Sequence, residues 1–346
     1  MTPEPGNQVP LFGVPHRPEW LALHDEPVLE PDLPVVDAHH HLWEFACERY
    51  LFDELKSDVG SGHNIRATIH VQCGSHYRHE SGPLFAPVGE TEFASQVALS
   101  ALARGEPTRY CAGIVGYADL RMPGVGEVLE AHSRTDPLRF KGIRQAAAWD
   151  MDQRLVNAHM GTVQGLYGDP QFRRGFASLA PMGLSFDVWA LHPQLDEVLD
   201  LALAFPDTRI IVDHIGAPVG EGRFAGRHDE VYPVWLKGVR DLAECPNVAI
   251  KIGGLGLPIL GMGFASAPRP FSSEELCRQM RRWVEPCIEA FGPGRSMLES
   301  NFPVDRHSFS YKVCWNAFKR LCNGCSESEK ARLFHDTACE WYRLGL

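Results

Sequence analysis

Short apolar runs recur along this chain, each long enough for one buried strand and most followed by a stretch with helical character. The runs are residues 33–38, 67–73, 111–117, 140–145, 184–191, 209–214, 248–252 and 296–300. Residues 91–103 and 194–205 have clear helical patterns between them. Ser272 with Glu275, and Ser326 with Glu329, have the spacing of a capping box, which marks a helix start. The second pair opens a final helix or pair of helices over 326–343. Strands alternating with helices predict parallel pairing. Eight such units in 346 residues favour a closed (β/α)8 TIM barrel over an open doubly wound sheet. No glycine-rich dinucleotide fingerprint follows the first run, and no phosphate loop occurs, so nucleotide binding lacks its usual support. Residues 1–31, with repeated prolines, read as an irregular arm, leaving 32–346 as a single barrel domain with extra C-terminal helices. Longer connections, near 46–65, 74–90, 151–168, 216–232 and 254–272, are expected as loops or short helices. Those that follow strands should build the mouth of a site.

Barrel strands are covered on both sides and should be almost continuously apolar, so polar residues at their ends need a reason. The first strand delivers Asp37 and then His39, His40 and His41. Strand alternation puts His39 and His41 on one face, about 6.6 Å apart at Cα, with His40 elsewhere. Asp37 shares their face by the same count and could orient one of them. The second strand brings His70 and Gln72, the fourth Arg144, and the fifth runs through Asp187 into His192. The sixth ends in Asp213 and His214, the seventh carries Lys251, and the eighth carries Glu299, Ser300 and Asn301, with Asp305 beyond. Histidines end strands one, five and six, and all C-terminal strand ends of a barrel open on one face. Neutral imidazoles suit zinc or another borderline divalent ion, and three protein ligands with one open position is the catalytic arrangement.

Composition narrows the partners. The chain is 44% hydrophobic and 22% charged, as globular chains are, and carries a net charge of −11. That charge disfavours nucleic acid and anionic membrane surfaces, which leaves a small-molecule substrate and leaves a homo-oligomer open. No apolar run reaches the roughly 20 residues that span a bilayer. The polar, Pro-rich start lacks the features of a signal peptide, so a cytoplasmic location is expected. The 10 cysteines then read as reduced thiols. Cys322 and Cys325 have the spacing of a zinc or redox pair, but no second pair accompanies them.

These motifs together resemble the amidohydrolase superfamily, in its second amidohydrolase family of metal-dependent barrel hydrolases. Lactonases belong there and, further off, decarboxylases. The resemblance is carried by Asp37 to Trp43, Lys141 to Arg144, Phe186 to Leu195, Val212 to Gly216, Asn247 to Gly254 and Ser300 to Pro303. It implies that His39, His41 and His192 ligate one divalent ion, zinc or else manganese. It implies that His214 contacts substrate or the attacking water, and that Arg144 binds a substrate carboxylate or carbonyl. His70, Gln72 and Trp149 are candidate pocket residues. The departure is Asn301, where the family usually has an aspartate that ligates metal and acts as base. An amide cannot take a proton from water at neutral pH. Asp305 could swing in from its loop, Glu299 could supply the carboxylate, or His214 could act alone with the metal weak or absent. The position of Asp305 at the barrel mouth favours it, and the bland alternative for Glu299 is a buried ion pair with Lys251. A bound divalent ion lowers the pKa of water from about 15.7 to about 7, so a carboxylate base helps without being indispensable. Without metal, an activated carbonyl such as a lactone is the better substrate. The expectation is therefore hydrolysis of a small, carboxylated lactone or related cyclic ester. Non-oxidative decarboxylation and a binding protein that has lost catalysis are the alternatives.

Overall fold

The computed structural model describes residues 16–45, 48–152, 155 and 162–346. Parts of two expected loops, 46–47 and 153–161 except 155, lie outside these residues, as does the first part of the expected arm, 1–15. The barrel strands are β1 (Pro34–His40), β2 (Asn64–Val71), β3 (Arg109–Gly116), β4 (Phe140–Arg144), β5 (Ser185–Val188), β6 (Ile210–Val212), β7 (Val248–Ile252) and β8 (Ser296–Leu298). They pair in parallel in sequence order in one eight-stranded sheet. The sheet closes beyond β8, where the Asn301 N–H donates to His39 O at 2.9 Å and the His41 N–H to Phe302 O at 2.8 Å. The expected TIM barrel is thus formed.

The covering helices include α1 (Phe52–Val59), α2 (Val88–Ala103), α3 (Val125–Thr135), α4 (Pro170–Phe176), α5 (Leu195–Ala204), α6 (His228–Ala243), α7 (Ser273–Phe291) and α8 (Tyr311–Leu321). α7 shows why such segments fold this way. Ser272 caps it by accepting from the Glu275 N–H, and Leu276, Met280, Trp283, Val284, Cys287 and Phe291 bury one stripe. Six strands end earlier than their apolar runs, and two of them do so beside left-handed residues. β6 stops at Val212 because His214, Ile215 and Ala217 have φ of 54°, 53° and 41°. A ladder cannot continue through left-handed residues, and a β-branched residue such as Ile215 rarely adopts that region. β8 likewise stops before Asn301, whose φ is 56°.

Both termini of the described chain are built into the barrel. Residues 27–30 lie on α8, where the Lys319 ammonium donates to Leu29 O and Glu30 O at 2.8 Å each. At the other end, Ala338, Trp341, Tyr342 and Leu344 share an apolar cluster with Val36, Ala67, Ile69, Ile211, Ala249 and Met297. These small and branched strand residues line the barrel's lower interior, and the last turns of the chain plug it. Among the described residues no helix is long and apolar enough to cross a membrane.

Candidate active site

β1 carries the first pair of imidazoles. His39 Nε2 and His41 Nε2 are 3.2 Å apart, and both rings are buried. The His41 Nδ1–H donates to Val71 O at 2.7 Å, so its Nε2 bears the lone pair. Burial, with Lys251 beside His39 and Arg144 beside His41, holds both imidazoles well below the usual histidine range, so both are neutral. Asp37 does not join them. A register shift between Asp37 and His40 breaks the simple alternation, and the carboxylate instead accepts from Ser300 Oγ at 2.6 Å, Ser300 N at 2.8 Å and the Tyr311 hydroxyl at 2.9 Å. Without a cation beside it, burial pushes the Asp37 carboxyl up to about 6.

Glu299 ties two strands' histidines together. Its Oε1 is 2.7 Å from His214 Nδ1 and accepts from the His214 N–H at 3.1 Å, while Oε2 is 2.9 Å from His39 Nδ1. Burial raises this carboxyl, but the two imidazoles outweigh it and hold it down at about 2. The ion pair expected between Glu299 and Lys251 is replaced by these contacts. Lys251 pairs instead with Asp187 at 2.7 Å and Asp213 at 3.0 Å. Its burial disfavours the ammonium, yet the carboxylates around it raise its pKa overall. Asp213 also accepts from Arg144 Nη1 at 3.3 Å.

The strand-8 loop is organised differently from the expectation of a mobile base. Asp305 is buried, with Oδ2 accepting from the Gly256 N–H at 2.8 Å and Oδ1 from Asn301 Nδ2 at 2.9 Å. Both oxygens are occupied, and burial pushes the carboxyl well above its usual range. Asn301 therefore turns its amide to Asp305, and it tolerates the left-handed φ better than most residues. Glycines of the β7 loop make the room. A Cβ at Gly253 would lie 2.3 Å from Glu299 Cγ and 2.4 Å from Glu299 O, and one at Gly254 would lie 2.5 Å from His214 Nδ1.

The remaining expected residues separate. Arg144 is buried and donates to Gln72 Oε1 at 3.0 Å, to Gln72 O and to Asp213, with Nη1 also 3.3 Å from His39 Nε2. Gln72 thus joins the site as a support of Arg144. His70 does not, because it faces Glu90 of α2 at 3.5 Å and stacks edge-on to His40, on the helix side of the strands. Trp149 follows β4, and its backbone N–H donates to Gln194 Oε1 at 3.2 Å. His192 opens the short turn His192–Gln194 and packs its ring on Phe224 at 4.9 Å. Its Nδ1 accepts from the Val219 N–H at 3.2 Å, and burial lowers its pKa to about 4. A neutral imidazole that accepts at Nδ1 carries its proton on Nε2, so His192 in this arrangement is a donor and not a metal ligand.

A divalent ion suits the donors present. Among the described residues, His39, His214 and Glu299 bring donor atoms within 4.8 Å of one another, and no such group of three includes His41 or His192. Tetrahedral zinc with nitrogen ligands spaces them by about 3.3 Å, close to the 3.2 Å between the Nε2 atoms of His39 and His41. A carbonyl behind His41 and a carboxylate behind His39 are the usual supports of ligating imidazoles.

A barrel with histidines, a carboxylate and buried cations at one mouth has the groups for acid–base or metal-assisted chemistry on a small substrate. A sequence profile described as Amidohydrolase matches residues 36–344, and the chain belongs to that family. It is 34% identical to an uncharacterised protein, y4mH, of Sinorhizobium fredii, over 90% of this chain and 99% of that one. It is 25% identical to an L-fucono-1,5-lactonase of Burkholderia multivorans, over 89% and 96%. In fold it is similar to an amidohydrolase from Burkholderia multivorans crystallised with zinc, with a TM-score of 0.67 at 23% identity, covering 89% of this chain and 99% of that one. The chain is thus a metal-dependent hydrolase by family.

Lys251, Asp187 and Asp213 stand out in the sequence as polar strand residues, but it gives them no role in the site beyond an ion pair of Lys251 with Glu299. Their signal was available: charges inside strands that should be continuously apolar. Tyr342, whose hydroxyl donates to Asp187 Oδ2 at 2.5 Å, left no such signal in the turn that follows the last helix, Thr337–Trp341.

Proposed function

We propose that this metal-dependent hydrolase opens a lactone, with Glu299 and His214 acting as a carboxylate–imidazole pair. The observation that carries the reading is the double contact of Glu299 with Nδ1 of both His214 and His39. Held this way, His214 presents Nε2 as the proton acceptor, and Glu299 stabilises the imidazolium that forms. The function that Asn301 cannot perform passes to a different residue of the same strand. His39 and His41 would hold the metal, which we take to be zinc. When bound, a divalent ion polarises the carbonyl and eases ionisation of water. His214 then takes the proton of the attacking water and returns it to the ring oxygen as the C–O bond breaks, so lactone and water give one hydroxy acid. His192, with its proton on Nε2, would act as a donor to substrate.

The substrate's charge follows from Arg144. Its guanidinium already serves Gln72, Asp213 and His39, so a substrate carboxylate would have to displace buried partners. We therefore favour an uncharged sugar-acid lactone over the carboxylated one expected earlier, and the lactonase names of two relatives support this. The described cysteines are all free thiols, in keeping with the cytoplasm as the compartment we propose. Acid release by zinc-loaded protein from a panel of uncharged and carboxylated lactones tests the reading. Turnover of the uncharged set is expected, whereas release of carbon dioxide from an aromatic acid in place of lactone opening would overturn it.

A further inference from the structure

His39 has more partners than its two nitrogens can serve at once. At Nδ1, Glu299 Oε2 lies 2.9 Å away and Lys251 Nζ 3.1 Å away. An ammonium only donates and a carboxylate only accepts, so the two demand opposite states of the same nitrogen. The other nitrogen shows the same conflict. Nε2 faces the His41 lone pair at 3.2 Å and the Arg144 guanidinium at 3.3 Å. Two complete arrangements follow. In the first, Lys251 donates to His39 Nδ1, and the ring proton sits on Nε2 and points at His41. In the second, the ring proton sits on Nδ1 and faces Glu299, and the one lone pair of Nε2 stands beside that of His41, accepting from Arg144 until a cation takes Arg144's place. Only the second gives a cation two imidazole lone pairs.

We propose that Lys251 is a positioning residue that competes with Glu299 for His39 Nδ1 and thereby sets the metal affinity of the His39–His41 pair. This rests on the reading above that His39 and His41 take a metal. Lys251 is fixed for the task from below. Asp187 and Asp213 hold it at 2.7 and 3.0 Å, and Tyr342 of the C-terminal plug holds Asp187 and sets its ring 5.4 Å from the ammonium. The last turn of the chain is thereby connected to the first strand's histidine through three buried side chains. Moving between the arrangements exchanges an Nε2 proton for an Nδ1 proton on one ring, so neither the proton count nor the net charge of the site changes.

The test uses the full chain labelled with 15N-histidine, in metal-free and zinc-loaded form, with NMR reading which ring nitrogen of His39 is protonated. Zinc binding is measured first, by competition with a chelating dye. Absence of binding removes both this inference and the metal in the reading it rests on. Where zinc binds, a change of His39 from the Nε2–H to the Nδ1–H form is expected, and one unchanged form in both samples overturns the inference alone. A Lys251→Met variant is expected to bind zinc at least tenfold more tightly, since the competitor is gone, and equal or weaker binding by the folded variant overturns the inference. Should that variant fail to fold, the tautomer of the wild-type protein decides.

Discussion

Replacing Glu299 by Gln keeps the shape of the side chain and removes its charge. The carboxylate is fully buried, and its two oxygens serve two histidines from different strands. Against the burial that raises it, His214 and His39 hold its pKa at about 2 rather than the ordinary 4.5, which bounds their support of the charged form at about 3 kcal/mol. The amide can still accept one hydrogen bond, but it turns an NH2 group toward a nitrogen that needs an acceptor. Loss of such a support behind a ligating or basic imidazole costs roughly 10–100-fold in metal affinity or activity. We expect kcat/KM for lactone opening at pH 7 to fall by at least that factor, with weaker zinc binding. Stability should respond with a definite sign. A folded-state pKa below the unfolded one stabilises above the unfolded value, and that gain fades as pH falls through the folded value. The stability difference between wild type and Glu299→Gln should therefore be full at pH 7 and shrink below about 4.5. A folded variant with wild-type kcat/KM and zinc affinity would refute the role given to Glu299.

Other changes test neighbouring parts of the site. Gly253→Ala places a methyl group 2.3 Å from Glu299 Cγ and against its carbonyl; overpacking of this kind costs about 1–3 kcal/mol, so a lowered unfolding midpoint in urea and reduced activity are expected together. His192→Ala should retain bound zinc, measured by elemental analysis, while losing turnover, whereas His41→Ala should lose both. The Asp37 carboxyl, raised from 3.8 to about 6 by burial, makes its contribution at low pH and loses it as pH rises through about 6. Relative to Asp37→Asn, the wild type should gain up to ~3 kcal/mol on moving from pH 7 to pH 4, read by denaturant unfolding.

The barrel was legible because its information is periodic. Eight apolar runs separated by capped helices leave few topologies, and the Ser272–Glu275 cap appears where its spacing places it. The pair His39 and His41 was legible for the same reason, as was the convergence of His214 on it. What strand parity could not supply was the direction of side chains where the backbone leaves the regular ladder. A register shift leaves the Asp37 carboxylate on Ser300, Tyr311 and the His39 backbone N–H in place of an imidazole, and the left-handed stretch from His214 to Ala217 carries the chain off β6. Asp305 looked free because it follows a strand end, yet the Gly256 amide and Asn301 fix it. The C-terminal plug is a long-range contact, and nothing local in the residues around Tyr342 announces that their hydroxyl meets Asp187.

In the mechanism we propose, a Glu299–His214 pair, beside a metal on His39 and His41, opens a lactone ring. The most direct measurement is a pH-stat record of acid released by the zinc-loaded protein from uncharged sugar-acid lactones, run beside His214→Ala. One proton per ring opened by the wild type, with loss of at least a hundredfold in kcat for the zinc-bound variant, is the predicted result. Equal rates in both, or no lactone opened by the zinc-loaded wild type, would contradict it.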